Sequence, residues 1–511
     1  MNTVATIPSV PLDSGAAVFS TFENAPAQPT SLPPANPTKS FWLNSDESVN
    51  PLAQVGCASP LPDTVDVVII GSGITGCSAA YHLADLLRRS RSQAQPVRAI
   101  ILEARDFCSG ATGERVLNGG HLTEVSVHGF QRLVKRYGKE EALRHVEIER
   151  YTVSSILELL ARAPHATQDV DLVSGGRLNL LFSPQEVESA RADIAAATEA
   201  GLDLTGVEWL EPDITEKRFR VRLPAVLSPG NTIWPLKLAM RLFEYAKGST
   251  ISDSSLGEKT SLSSRITPSA LSLNLFTQTP VHKIESVAPG DTHRWAVETN
   301  RGSIRTRYII HATNAYASHL LPHLAGPMTG IVPSRGQCIA TRGSVKAKEW
   351  PTVGWAGNQR FEYWLSRPPK HEEDRALVIL GGGRETVPNH EFNVANDATI
   401  NTAISKILHT FLPTLFPNDF EVGEPEMEWT GVMGFTHSGD PIVGHIYGKN
   451  GEEVPGQYIS AGYSGHGMPR AFACAEVVVQ MIYADMVGDS WSPPEWFPRH
   501  FLSKPNGAGE V

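Results

Sequence analysis

An α/β fold built on a parallel sheet is the class this sequence predicts, and three stretches predict it. Residues 66–84, DVVIIGSGITGCSAAYHLA, pass from an apolar run through three glycines into a helical pattern. Residues 97–104, VRAIILEA, form a second apolar run of strand length. Residues 458–478, YISAGYSGHGMPRAFACAEVV, repeat the order strand, glycine loop, helix. Strands that are apolar throughout suit a parallel sheet covered on both faces. Parallel neighbours need a crossover, here the helix between the first two runs.

The elements follow in order. Residues 1–60, rich in Pro, Ser, Ala and Thr, bury too little apolar surface to offset their ordering entropy, which predicts a disordered, flexible arm. Within it, SFWLN can dock locally through Phe41 and Trp42. A strand is expected at 65–70, a helix at 74–89, a surface loop in SRSQAQP and the second strand after it. Residues 128–163 carry a helical pattern, VDLVSGGRLNLLFS reads as a hairpin, and PQEVESARADIAAATEAG as a helix. IWPLKLAMRLFEYAKG is a helix with Pro235 in its first turn. Residues 252–269 are a polar insertion without expected order. The strand series 273–315 precedes further strands around SRGQCIATR, FEYWLSR and ALVILGGGRE. There is no internal repeat and no coiled coil.

Bulk properties narrow the function classes. A chain of 511 residues suggests two to four domains or two interleaved ones. The formal net charge of −10 disfavours nucleic acid, which needs a basic face. Five widely spaced cysteines, without metal-ligand spacing, predict free thiols in a reducing compartment and no metal site. No apolar run reaches the roughly 18 residues of a membrane span. The first 40 residues lack an apolar signal core and any arginine, and NGAGEV carries no targeting tripeptide. The cytoplasm is the expected location.

Gly71, Gly73 and Gly76 fit a dinucleotide fingerprint. The first lets the chain turn, the second lets backbone approach a pyrophosphate, and the third lets the helix pack on the sheet. The phosphates then meet free N–H groups at a helix N-terminus. Glu103 ends the next strand, where a carboxylate accepts hydrogen bonds from ribose hydroxyls. FAD and NAD both use such a unit. Three further signals bear on the choice: CSGATGERVLNGGHL after Glu103, IIHATNAY, and the C-terminal glycine loop, whose helix can stabilise negative charge on a flavin ring.

In this order, GSGITG with LEAR, SGATG with NGGHL, ATNAY, GFTHSGDPIVG and AGYSGHG resemble the D-amino-acid oxidase (DAO) family of FAD-dependent oxidoreductases, over roughly residues 62–485. The SGATG segment is most like that of its gamma-glutamylputrescine oxidoreductase members. The resemblance implies a Rossmann-like FAD-binding domain from residues 62–165, 225–325 and 429–490. It also implies a discontinuous antiparallel-sheet substrate domain from 166–224 and 326–428, leaving 491–511 as a tail. By motif, Gly71, Ser72, Gly73, Ile74, Thr75, Gly76, Glu103, Ala104 and Arg105 would hold the ADP half. Ser109, Ala111, Thr112, Asn118, Gly119, Gly120 and His121 would follow the pyrophosphate and isoalloxazine. Val281 would meet the adenine side, and Gly462, Gly465, Gly467 and Met468 would flank the flavin pyrimidine. The chain departs from the family at GERVLNGG, where residues 114–117 separate Arg115 from Asn118.

The implied reaction oxidises a C–N bond in an amine or amino acid. A hydride equivalent leaves the carbon beside a neutral amine for flavin N5, the imine is hydrolysed, and oxygen or another acceptor takes the electrons. Tyr363, Arg384 and His466 are the substrate-side candidates. Arg335 either binds a carboxylate or serves the sheet, and His437, like His466, is either catalytic or structural. Sarcosine oxidases carry Lys after GHG, where this chain has Pro469, and ALVILGGGRE also lacks Lys. These departures favour an amine or N-acylated diamine over a small N-methyl amino acid. WTGVMGFTH has no Cys, so FAD is expected to be non-covalent. Two alternatives stay open: a flavin-binding protein with little turnover, and an NAD(P)-linked dehydrogenase, although no Tyr-x-x-x-Lys pair supports the latter.

Overall fold

The computed structural model describes residues 7, 9–12, 14–21, 27–46, 48–90, 95–112, 120–123, 127–162, 165–248, 270–288, 290–347, 350–369, 371 and 373–505. The predicted α/β class is observed, with one largely parallel and one largely antiparallel sheet. In the first sheet, Thr64–Ile70 lies between Gly302–His311 and Val97–Leu102, parallel to both. Leu271–Phe276 extends it in parallel beyond Val97–Leu102, and Glu453–Ala461 pairs in parallel with the end of Gly302–His311. Val67, Val68 and Ile69 have no exposed surface. That explains their unbroken apolar run: both faces of this strand are covered.

Helix Ile74–Ser90 packs against Pro235–Ala246 and Ala471–Val487. Buried Ala79, Ala80, Ala84, Ala473, Cys474 and Ala475 keep these contacts small, so the helices approach closely.

The second sheet runs Met427–Phe435, Val332–Arg342, Leu377–Gly381, Glu362–Ser366, Gly354–Gly357, Arg177–Leu180, Ala225–Ser228, Glu208–Leu210. Every pairing is antiparallel except Gly354–Gly357 with Arg177–Leu180. Its side chains alternate between two cores, as the period of a strand requires. Ile339, Trp364, Val378 and Leu380 join Leu408 and Phe411 of helix Thr402–Leu415. Cys338, Tyr363, Leu365 and Ile379 join the core of the parallel sheet.

Several expectations are corrected. VDLVSGGRLNLLFS is not a hairpin: Val173–Ser174 pairs in a small third sheet, whereas Arg177–Leu180 enters the antiparallel one. The Gly175–Gly176 turn, with Gly176 at φ 82°, carries the chain from one sheet to the other. The helical pattern at 128–163 splits into Phe130–Tyr137 and Lys139–Ala161 at Gly138, whose φ of 82° and ψ of 166° leave the helical region. Ala225–Ser228 and residues 429–435, which the resemblance assigns to the FAD-binding domain, pair in the antiparallel sheet.

The arm is not a free tail over its described part. Trp42 has no exposed surface, and its backbone carbonyl accepts a 3.1 Å hydrogen bond from the Trp234 indole. The Thr30 and Ser318 hydroxyls are 3.0 Å apart, and Thr38 Oγ1 accepts from the Thr430 N–H at 2.8 Å. Composition averaged over 60 residues hid these few anchors. The insertion at 252–269 and the segment 113–119 lie outside the described residues.

Candidate active site

The glycine turn behaves as its spacing requires. Gly71 has φ 108°, a conformation that side chains disfavour. A Cβ on Gly76 would stand 1.9 Å from the Gly71 carbonyl oxygen, so helix and strand touch there. A Cβ on Gly73 would come within 3.0 Å of Thr112 Oγ1, which itself accepts from the Ile74 N–H at 3.0 Å. Glu103 Oε2 accepts from the Ser72 N–H at 2.9 Å and its hydroxyl at 2.8 Å, and Oε1 accepts from the Arg105 N–H at 3.0 Å.

A cavity of about 1320 Å³, open mouth included, runs from this turn to the C-terminal glycine loop. Gly71, Gly73, Ile74, Thr75, Glu103, Ala104, Arg105, Ser109, Ala111, Thr112, Val281, Gly465, Gly467 and Met468 line it. Ser72, Gly76, Gly120 and Gly462 do not. Ser72 secures Glu103, Gly76 closes the helix onto the strand, and the Gly462 N–H donates at 2.9 Å to Asn314 Oδ1, which belongs to a lining residue. Gly120, at φ 88°, packs against the Ile233 carbonyl. Asn118 and Gly119 lie outside the described residues.

The wall suits a dinucleotide. It offers the N-terminal turn of a 17-residue helix to phosphates and a buried carboxylate to ribose hydroxyls. It also holds buried Thr313 Oγ1 and His319 Nε2, which have no hydrogen-bond partner among the described residues. Leu32 and Pro33 of the arm line the same cavity. Arg105 pairs with Asp397 at 2.9 Å, and the Asp397 carbonyl accepts from the Thr38 N–H at 2.9 Å, so arm and both sheets meet there.

A second cavity of about 900 Å³ meets the first at Gly465. It gathers the three substrate-side candidates, Tyr363, Arg384 and His466, and also takes His121. Tyr363 lies across Gly381, where a Cβ would stand 1.8 Å from its hydroxyl. The hydroxyl sits 3.1 Å from Cys338 Sγ. Burial, then the Cys338 thiol, push the phenol well above its ordinary range, so it keeps its proton. Arg384 follows Gly382 and Gly383, both at positive φ, and its guanidinium lies 4.8–5.3 Å from the ring centres of Phe361, Phe392 and Phe435. It donates to Ser334 Oγ at 3.3 Å. Burial lowers it to about 10, which leaves it charged at neutral pH. His466 is pushed well below its usual range by burial, then by the positive charges of Arg470, Arg360 and Arg177, and is neutral.

Arg335 serves the sheet: its Nε reaches Glu391 at 2.5 Å and one terminal nitrogen reaches Thr399 Oγ1 at 2.7 Å. His437 is exposed and lines neither cavity. The sequence reading missed Arg177, His128, Gln359 and Arg360 on the second cavity. The signal was present in WAGNQRFEYW, where three polar residues interrupt an apolar, aromatic stretch.

The comparisons with known proteins agree with this geometry. The family model "FAD dependent oxidoreductase" (DAO) matches residues 66–481. Gamma-glutamylputrescine oxidoreductase of Escherichia coli K12 is 23% identical over 434 residues, covering 83% of this chain and 84% of that protein. Glycine oxidase from Geobacillus kaustophilus superposes with a TM-score of 0.60 at 19% identity, over 88% of this chain and all of the other. L-proline dehydrogenase from P. horikoshii gives 0.58 at 19% identity, over 86% and 98%. Of the two dinucleotides left open by the fingerprint, the cofactor is FAD, and the chain belongs to the DAO family of FAD-dependent oxidoreductases.

Proposed function

We propose that this protein oxidises the C–N bond of an amino acid or related amine, the imine product then being hydrolysed. One observation carries the reading: a cavity built for a dinucleotide opens at Gly465 into a second one lined by Tyr363, Arg384 and His466. FAD, when bound, supplies the acceptor for a hydride equivalent from the carbon beside the nitrogen.

The chain's own residues bind, orient and set charge. Arg384 offers a desolvated cation to a carboxylate, gripped between aromatic rings that limit its movement. Tyr363 keeps its proton and is a donor rather than a base. The surrounding positive charge disfavours an ammonium in the cavity. A substrate amine therefore loses its proton on entry, as departure of hydride from the adjacent carbon requires. His466, held neutral by the same charges, adds no further positive charge beside the amine, and the proton is left to solvent. This cationic wall favours an amino acid over a diamine. Flavin held without a covalent bond, re-oxidation by oxygen or another acceptor, and a cytoplasmic location suited to five free cysteines complete the reading. Among the described residues no helix is long and apolar enough to cross a membrane.

The test is the visible spectrum of the purified protein, recorded before and after anaerobic addition of amino acids of both hands and of amines. The expected result is a flavin spectrum that bleaches with one of them. Bound flavin that no amine reduces would replace this reading with that of a flavin-binding protein without turnover.

A further inference from the structure

The second cavity holds more positive charge than one carboxylate needs. Arg177, Arg360 and Arg384 all line it, and no described lining residue carries a carboxylate. The arginines form two groups. The charge of Arg177 acts on Arg360, whereas Arg384 lies beside Glu385 and the neutral Tyr363.

Of the acids near the arginines, Glu149 and Asp193, which act on Arg360, are already engaged, and burial pushes Glu385, beside Arg384, above the ordinary carboxylate range. Glu149 takes the Arg470 guanidinium at 2.8 and 2.9 Å. Asp193 accepts the backbone N–H groups of Gly129 at 2.6 Å and Gln131 at 3.0 Å. Among the described residues Arg177 donates only to Thr123 Oγ1, at 3.5 Å, and the buried Nε atoms of Arg177 and Arg384 have no partner. Burying such donors without an acceptor is costly, because their lost hydration is not replaced.

The backbone supports a purpose at the far group. Asn358, Gln359 and Arg360 have φ of 51°, 59° and 65°, three successive left-handed residues without a glycine. Such a run is strained and persists where the surrounding structure holds it. Here it carries Gln359 and Arg360 to the cavity wall.

We infer that the substrate carries two carboxylates, one received by Arg384 and the other by Arg177 and Arg360, which makes it a dicarboxylic amino or imino acid. The inference rests on the proposed oxidation for the amine and on the cavity alone for the two anionic groups.

The test separates the two. Glutarate and succinate, dianions with no nitrogen to oxidise, are titrated into the full-length holoprotein beside butyrate, by calorimetry and by flavin difference spectra. The dianions are expected to bind roughly tenfold more tightly or better. Arg177→Met and Arg360→Met should each weaken glutarate roughly 30-fold and leave butyrate within about threefold, while Arg384→Met weakens both. Arg177→Lys, which keeps the charge and loses the fork, should fall between wild type and Arg177→Met and serves if the latter does not fold. Equal affinity for glutarate and butyrate, or an Arg177→Met variant that weakens both alike, overturns the inference. Flavin reduction by amino acids without dianion preference would sink the dicarboxylate assignment and leave the oxidation intact. Dianion preference without reduction by any amine would do the reverse.

Discussion

Around the glycine turn, the first cavity is walled mostly by backbone and small side chains: Gly71, Gly73, Ser109, Ala111, Thr112 and Gly465. Across Gly465, the second is walled by Arg177, Arg360, Arg384, Tyr363 and histidines. In the proposed reading, one would receive its ligand through N–H groups that every residue owns, so its demand is for small size and permitted dihedrals. The other would receive its ligand through particular side chains brought from distant segments. A site of the first kind fails when a Cβ is added; one of the second kind fails when a charge is removed.

The largest effect should come from adding a Cβ. Gly76→Val would set side-chain atoms against the Gly71 carbonyl, backbone with nowhere to move. The expected outcome is a protein without flavin, less stable by about 3 kcal/mol, read from absorbance near the flavin band and from urea unfolding. Retained flavin with an unchanged midpoint would break the comparison at its first term.

Removing a charge comes next. Arg384→Met should lower kcat/KM roughly 100-fold, in line with loss of a desolvated charged partner. Flavin content should stay at the wild-type level. If flavin were lost as well, the two cavities would not be separable in this way.

A smaller change should follow deletion of residues 1–39, which removes Leu32 and Pro33 from the first cavity and Thr38 from the Asp397 carbonyl. Equilibrium dialysis should show a flavin dissociation constant raised about tenfold, or about 1.4 kcal/mol. An unchanged constant would mean that the arm merely rests on the rim.

The smallest effects concern pH, and the two halves should respond with opposite signs. In the parallel-sheet half, burial first of all lowers His311 to about 4 and His82 to about 3. Their unfolded forms take up a proton below about pH 6.5, while the folded forms stay neutral. Stability is therefore lost as pH falls from 6.5, by about 1 kcal/mol for each histidine at pH 5.5. In the antiparallel half, burial and then mutual repulsion raise Glu362, and burial raises its neighbour Glu385. Folding there retains protons that the unfolded chain releases above about pH 4.5, so stability is lost as pH rises. Urea midpoints against pH should flatten on the acid side in His311→Gln and on the other side in Glu362→Gln. A variant without such flattening would show that burial is not the controlling cause.

Legibility followed the same division. The first two strands and the helix between them could be read because an unbroken apolar run and three spaced glycines are local requirements. VDLVSGGRLNLLFS was misread because alternation and a glycine pair look alike whether two strands pair with each other or pass into different sheets. The helix break at Gly138 depends on a single residue inside an otherwise helical pattern. The arm was misread because disorder was inferred from average composition, whereas Trp42, Thr30 and Thr38 hold it at points.

By itself the sequence determined the α/β class, the dinucleotide turn with Glu103 at the neighbouring strand end, and the resemblance to flavin oxidoreductases. Each of these is set by the dihedral freedom, size or periodicity of residues close along the chain. Tertiary structure alone decided that Arg177 and Arg360 face one cavity with Arg384. It also decided that Gly381 makes room for the Tyr363 ring and that a proline-rich arm helps wall the first cavity. Those placements depend on which strands pair and in what register, and register turns a side chain toward one face of a sheet or the other.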